Sequence, residues 1–313
     1  IIGKTGVGKS TFIHLLHGEK AVAVKTPEGN KSYQFVKKDS QTSPININKV
    51  FEFFGLGSGS GSGSGLENKN PLKGFDIGHG SSETKTPQIY DNEEVENETG
   101  MIFVDLPGYK DTNDVNIDIA TSKWISRIAE VCNKLTFTFI INCSSINEAR
   151  AGPFLEILTL FASLLDSTKK LKSDVKNSYM VLFTHYYDAN NVNDDDFNEL
   201  EDLNTLCSII KNYGIYNETL QSTSPGVYSL MTQMFKSMIK NNKKYEGLVR
   251  MLNPIKTDIN SIKKFIKGIK GLSNVDETSS NRKAKDVVKF SLIDSVDLEF
   301  KLSLKEFEGK IIE

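Results

Sequence analysis

The chain has few residues that would staple, anchor or metallate it. Its 313 residues hold three cysteines, Cys132, Cys143 and Cys207. They are too few and too scattered for a disulfide framework, and no two stand at CxxC spacing, which argues against a structural zinc site. No apolar run approaches the ~20 residues needed to span a bilayer. Neither sign of charge is in excess: 38 Lys+Arg against 40 Asp+Glu leave a net charge of -2. A dedicated DNA-binding protein would usually be basic, so no nucleic-acid partner is expected. The chain begins at Ile1 without methionine and is expected to be a fragment, so the lack of a signal peptide says little. What is present, 38% hydrophobic and 25% charged residues, is ample for a packed core and excludes a wholly disordered chain. The length allows one large or two ordinary domains.

Local pattern sets out an alternation of strands and helices. Ile1-Ile2 reads as the end of a strand running into a glycine-rich turn. A helix follows from Lys9 to about His17, with Gly18 as its stop. Ala21–Val24, Ser32–Val36 and Lys73–Ile77 read as short strands, separated by the low-complexity tract at 57–65, a flexible Gly/Ser loop of native or engineered origin. An acidic stretch (Asp91, Glu93, Glu94, Glu96, Glu98) precedes the apolar strand Met101–Asp105. Val115–Leu135 has helical spacing, and Pro153–Leu165 is a helix with proline in its first turn. Thr136–Cys143 and Ser178–Thr184 are apolar enough to be buried central strands. A helix is expected from the acidic Asp194–Asp196 to about Tyr213. Alternating elements of this kind imply a mostly parallel sheet, with ligands at the carboxyl ends of its strands.

Residues 1–225 therefore read as one α/β domain, and 226–313 as a helical extension ending in a strand-forming segment at Val296–Leu304. The extension carries a helical stretch Val227–Ile239 and an isoleucine stripe (Ile255, Ile259, Ile262, Ile266, Ile269) flanked by lysines. The stripe is expected to be a packed face. Its lysines would also suit an anionic lipid surface, which leaves membrane contact open. Trp124 is expected in the core, and His14, His17 and His79 have no partners at ligand spacing.

The strongest chemical signal is Gly3-Lys4-Thr5-Gly6-Val7-Gly8-Lys9-Ser10, a GxxxxGK[ST] phosphate loop. Glycines let the backbone N–H groups from Gly6 to Thr11 converge on β- and γ-phosphates, and Lys9 adds a point charge. The Ser10 hydroxyl ligates Mg²⁺, and the following helix directs its positive end at the same place. The second signal is Asp105-Leu106-Pro107-Gly108, where Asp105 would hold the Mg²⁺ shell through water and Gly108 would bring its N–H to a γ-phosphate. Leu106 stands where some ATPases carry a catalytic Glu, which disfavours them. The third is Thr184-His185-Tyr186-Tyr187-Asp188, whose carboxylate can accept both guanine N–H groups while His185 lies over the base. Its ends are four apart, against three in the common [NT]KxD motif. The fourth is Ser82-Glu83-Thr84-Lys85-Thr86-Pro87, where Thr84, and after it Thr86, is the candidate to complete the Mg²⁺ shell.

GKTGVGKST, SETKTPQ, DLPG and THxxD, in this order, resemble the septin-like branch of the translation-factor-related GTPases, in particular the GIMAP immune-associated GTPases and the Toc chloroplast import receptors. The resemblance covers about residues 1–200. It implies a three-layer Ras-like P-loop domain, GTP/GDP binding with Mg²⁺, a mobile switch loop, and pairing of two copies across their nucleotide faces. The expected location is cytoplasmic, with a position at the periphery of a membrane left open. The chain departs from the family in having Leu106 where DTPG has Thr. It also lacks an evident far-side guanine motif, for which Ser222–Ser224 is the candidate segment. The sixth strand falls either near Thr219–Ser224 or at Val287–Ile293. Tyr109 occupies the position of the water-orienting Gln of many GTPases, so turnover should be slow unless a second copy supplies a group, with Arg150 as the candidate. Two other readings stay open: a nucleotide-binding scaffold that hydrolyses little, and an ATP-using P-loop enzyme.

Overall fold

The computed structural model describes residues 1–25, 31–36, 87–90, 92–108, 121, 124–125, 128–129, 132, 134–147, 151–165, 178–185, 197–215, 218–240, 248–269 and 271–273. The expected elements at Lys73–Ile77, Asp194–Asp196, Val287–Ile293 and Val296–Leu304, the Gly/Ser tract and His79 lie outside them. In chain order the elements are α1 (Lys9–Leu16), β1 (Lys20–Lys25), β2 (Lys31–Val36), β3 (Gln88–Tyr90), α2 (Glu93–Thr99), β4 (Phe103–Asp105), β5 (Lys134–Leu135), β6 (Phe137–Asn142), α3 (Ser144–Asn147), α4 (Gly152–Leu164), β7 (Tyr179–Thr184), α5 (Glu199–Ile210), a π turn (Lys211–Ile215), α6 (Glu218–Thr223), α7 (Pro225–Lys240), β8 (Val249–Met251), α8 (Ile259–Lys267) and β9 (Leu272–Ser273).

The centre is a parallel sheet, β6–β7–β8. Its first two strands are mostly apolar and almost wholly buried because helices cover both faces, which leaves no solvent side for a polar alternation. The side chains divide by parity. Phe137, Phe139, Ile141, Tyr179, Val181, Phe183, Val249 and Met251 face one core, with α4, α5 and α7. Ile140, Met180, Leu182 and Leu252 face the other, with α1 and α8. On the first side the Phe139 ring stacks on Phe161 of α4 at 3.7 Å between centroids. α7 presents Val227, Leu230, Met231, Met234 and Met238 inward, a single stripe at helical spacing. On the second side Ile262, Phe265, Ile266 and Ile269 are buried, so the isoleucine stripe is a packed face.

Ile1-Ile2 joins this sheet to a second one. The Ile2 nitrogen donates to the Thr138 carbonyl at 2.7 Å and its carbonyl accepts from Ile140 at 2.9 Å. The Ile1 nitrogen donates to Val104 at 2.6 Å, and Leu106 N–H donates back to the Ile1 carbonyl at 3.3 Å. Both patterns are those of parallel neighbours. β4 in turn pairs antiparallel with β3. Among the described residues the continuous order is therefore β3, β4, Ile1-Ile2, β6, β7, β8, antiparallel only at β3. Two small antiparallel pairs, β1–β2 and β5–β9, stand beside it.

Several expectations need correction. The acidic stretch, to which the sequence pattern assigned no element, is partly a helix, α2: the Asn92 side chain accepts from Val95 N–H at 3.0 Å, Glu93, Glu94 and Glu96 complement the helix dipole, and Gly100 closes it at φ 74. The helix read through Leu135 stops earlier, because Lys134-Leu135 is drawn into β5 by pairing with Leu272-Ser273. The region near Thr219–Ser224, considered for the sixth strand, is helical as α6. The strand beside β7 is Val249–Met251, so the sheet and both cores continue past Pro225 into residues assigned to an extension. A strand with arginine at its centre carries little local signal; here Arg250 binds Glu199 at the start of α5 through two hydrogen bonds, at 2.6 and 2.9 Å.

Candidate functional site

The parallel strands end on one edge, and the residues after them form the candidate site. Gly3 follows Ile2, Asp105 ends β4, Thr184 ends β7, and Leu252-Asn253 follow β8. The chain after Ile2 makes a tight loop into α1, with Gly6 at φ 73 and Gly8 at φ 98. These left-handed positions suit glycine, since a Cβ costs about 1–2 kcal/mol there. Gly3 is glycine for another reason: a Cβ on it would lie 2.7 Å from the Ile140 carbonyl oxygen and 2.8 Å from Val7 Cγ2. The loop thus rests directly on β6. Above Gly6 the space is open, since an added Cβ would meet nothing within 4 Å. We expect Gly3→Ala to cost about 1–3 kcal/mol by overpacking against backbone. Gly6→Ala should cost only its backbone strain, about 1–2 kcal/mol. Thermal unfolding of the two variants checks the order; equal, negligible losses would contradict the close seating of Gly3.

Lys9, the first residue of α1, folds back across the loop. Its Nζ donates to the carbonyls of Gly3 at 3.3 Å and Lys4 at 3.2 Å, and the side chain is 7% exposed. The α1 N-terminus has Gly8 as its cap, with no side-chain capping bond and no acidic residue in the first turn. Lys4 points away from the loop, toward Glu156 on α4, at 3.6 Å; this exposed pair contributes little.

The other two strand ends touch this loop. Asp105 is fully buried at the end of β4. Gly108, three residues on, lies so close to Thr5 that a Cβ on it would overlap the Thr5 hydroxyl and sit 2.7 Å from the Thr5 nitrogen. From β7, the Thr184 hydroxyl donates to the Val7 carbonyl at 2.8 Å, and its methyl faces Gly8. His185 follows in a left-handed conformation, φ 54, which turns the chain sharply off the strand. Three motifs separated by roughly a hundred and then eighty residues are in this way brought onto one loop. Among the described residues, no group of three or more His, Cys, Asp or Glu gathers as a metal site. A cation held by one hydroxyl, one carboxylate and phosphate oxygens would need no such group.

Thr84, Thr86, Tyr109, Arg150 and Asp188 lie outside the described residues. Of the guessed far-side residues, Ser222 spends its hydroxyl on the Thr219 carbonyl at 3.0 Å within α6. Sequence reasoning missed the turn after β8. There buried Asn253 accepts from the N–H groups of Ile255 and Lys256 at 2.9 and 3.1 Å, on the same edge as Thr184. The Asn-Pro pair was its available signal. Cys143, just past β6, is buried, and burial together with nearby Asp202 pushes its thiol well above the usual range. It is therefore a neutral core residue with no nucleophilic character. His14 and His17 serve the core side: His14 Nδ1 is 2.7 Å from Glu19, and His17 Nδ1 is 2.8 Å from the Tyr90 hydroxyl.

Comparison with protein-family models, with curated proteins and with solved structures finds no significant match to this chain. No helix among the described residues is long and apolar enough to cross a membrane.

Proposed function

We propose that this chain is a guanine-nucleotide-binding protein of the Ras-like P-loop type, one that hydrolyses GTP slowly to GDP and phosphate with Mg²⁺. The observation that carries the reading is the loop itself. A buried lysine spans two of its own loop's carbonyls, at the N-terminus of an uncapped helix, on the carboxyl edge of a parallel sheet. The strand order, antiparallel only at β3, supports the Ras-like assignment.

The residues present fit a nucleotide and its metal. The loop leaves open space above Gly6, a buried carboxylate ends β4, and the Ser10 hydroxyl stands at the start of α1. Mg²⁺, when bound, supplies positive charge to the phosphate oxygens and fixes their orientation. Ser10 and Asp105 would hold it, with Thr84 completing the set. Backbone N–H groups from Gly6 to Thr11 would hold the phosphates, Lys9 would neutralise them, and Gly108 would offer its N–H to the terminal one. His185 and Asp188 would contact the base.

Binding of GTP, GDP and ATP, each with and without Mg²⁺, tests the reading. GTP and GDP should bind in preference to ATP, and Mg²⁺ should strengthen triphosphate binding. Equal binding of ATP and GTP would favour an ATP-using enzyme. Turnover by the isolated chain should stay below about 0.01 per second, because Tyr109 lacks the paired donor and acceptor of an amide. A second copy across the nucleotide face would supply the missing group, with Arg150 as its candidate. Phosphate release per monomer should then rise as protein concentration is raised about a hundredfold; fast release independent of concentration would show a complete monomeric site.

A further inference from the structure

The Thr5 hydroxyl has no role in the nucleotide-binding account above, and its surroundings give it one. Oγ1 is buried and, among the described residues, has no hydrogen-bond partner. It is not at the loop's outer rim. It lies against Gly108, close enough that a Cβ there would overlap it. A hydroxyl shut away from water without a partner is unfavourable, and a fold that needed only shape here would be better served by valine or alanine. Buried hydroxyls that lack partners in a free protein are candidates for bonding to something the site receives.

What the site receives can be narrowed by position. Thr5 precedes Gly6, where the loop opens to free space, and it is on the side of the loop facing the β4 turn, opposite the contact that Thr184 makes with Val7. The Gly108 N–H is the group assigned to the terminal phosphate, so a donor packed against Gly108 serves the same end of the ligand. Resting on the P-loop reading, we infer that the Thr5 hydroxyl donates to the terminal phosphate of a bound nucleoside triphosphate and helps distinguish triphosphate from diphosphate. Through its contact with Gly108 it also ties the phosphate loop to the β4 turn, so the two report on the same phosphate together.

The test compares the chain with Thr5→Val and Thr5→Ser. Dissociation constants are measured for GDP and for a non-hydrolysable GTP analogue in Mg²⁺, with melting temperatures of the nucleotide-free proteins. Valine keeps the branched shape and removes only the hydroxyl. Thr5→Val should weaken the triphosphate analogue at least about tenfold relative to GDP, as expected for loss of a charge-assisted hydrogen bond. Thr5→Ser should keep the parent's ratio within about twofold. The nucleotide-free Thr5→Val protein should melt no lower than the parent, because the group removed has no partner to lose. An unchanged ratio in Thr5→Val, or an equal loss for both nucleotides, overturns the inference while leaving the P-loop reading intact. A lower melting temperature for the nucleotide-free valine variant also overturns it, since the hydroxyl would then have a partner within the protein. Failure of the parent chain to bind either nucleotide overturns the P-loop reading itself, and the inference with it.

Discussion

Lys9→Ala is expected to reduce guanine-nucleotide affinity about 30- to 150-fold, the equivalent of about 2–3 kcal/mol for a lost charge-assisted partner. The amine is held over the loop by the carbonyls of Gly3 and Lys4. It is therefore positioned before any ligand arrives, and little side-chain entropy remains to be lost on binding. Backbone donors from Gly6 to Thr11 survive the substitution, which is why the loss is bounded. Lys9→Arg should not restore binding: a planar guanidinium needs more room than a compact ammonium, and this residue is buried. Titration calorimetry or a fluorescent-nucleotide assay reads the effect, with the melting temperature as a control for folding. Affinity unchanged in a folded Lys9→Ala protein would remove the phosphate-loop assignment.

Phe139→Ala should cost about 3–5 kcal/mol of stability, the range for truncating a buried aromatic in a core that cannot collapse around the gap. Phe139 is fully buried on β6, the strand that lies between Ile1-Ile2 and β7. Its ring stacks on Phe161 and has Phe137 and Tyr179 at 5.9 and 6.0 Å. The neighbours are held by two strands and a helix, so relaxation into the cavity is limited. With total stabilities of about 5–15 kcal/mol for domains generally, such a loss would leave a marginal fold. Ile239→Ala, at an exposed position on α7, should cost less than about 0.5 kcal/mol. Urea unfolding of both variants makes the comparison. A Phe139→Ala cost near that of Ile239→Ala would mean that the two-sided core around β6 is not what holds the sheet.

Elements legible in the sequence are those whose cause is local. α1 follows from its apolar spacing and the stop at Gly18, α4 from Pro153 and its apolar stripe, and β6 and β7 from β-rich, largely apolar segments of strand length. The glycine-rich loop before α1 was legible because a fixed spacing of glycines and a lysine encodes a backbone shape. α2 was also written locally, in Asn92, three glutamates and Gly100, but its acidic composition hid the caps. β8 and β5 were not legible. Each is two or three residues long and exists through pairing with a strand remote in sequence, and β8 bears an arginine whose partners, Glu199 and Ser261, come from other elements.

By itself, then, the sequence determined a tight glycine-rich loop leading into α1, the apolar strands that carry it, and the residue types that the proposed phosphate and metal site would use. Tertiary structure alone decided that Gly108 and Thr184 meet that loop, that Asp105 is buried at the end of β4, that residues beyond Pro225 complete the sheet, and that Thr5 is shut against Gly108. The physical reason is the same in each case. A turn or an apolar run is set by interactions within a few residues. A strand end gains its neighbours from the parallel pairing of chains roughly a hundred residues apart, and that pairing leaves no mark in the local pattern.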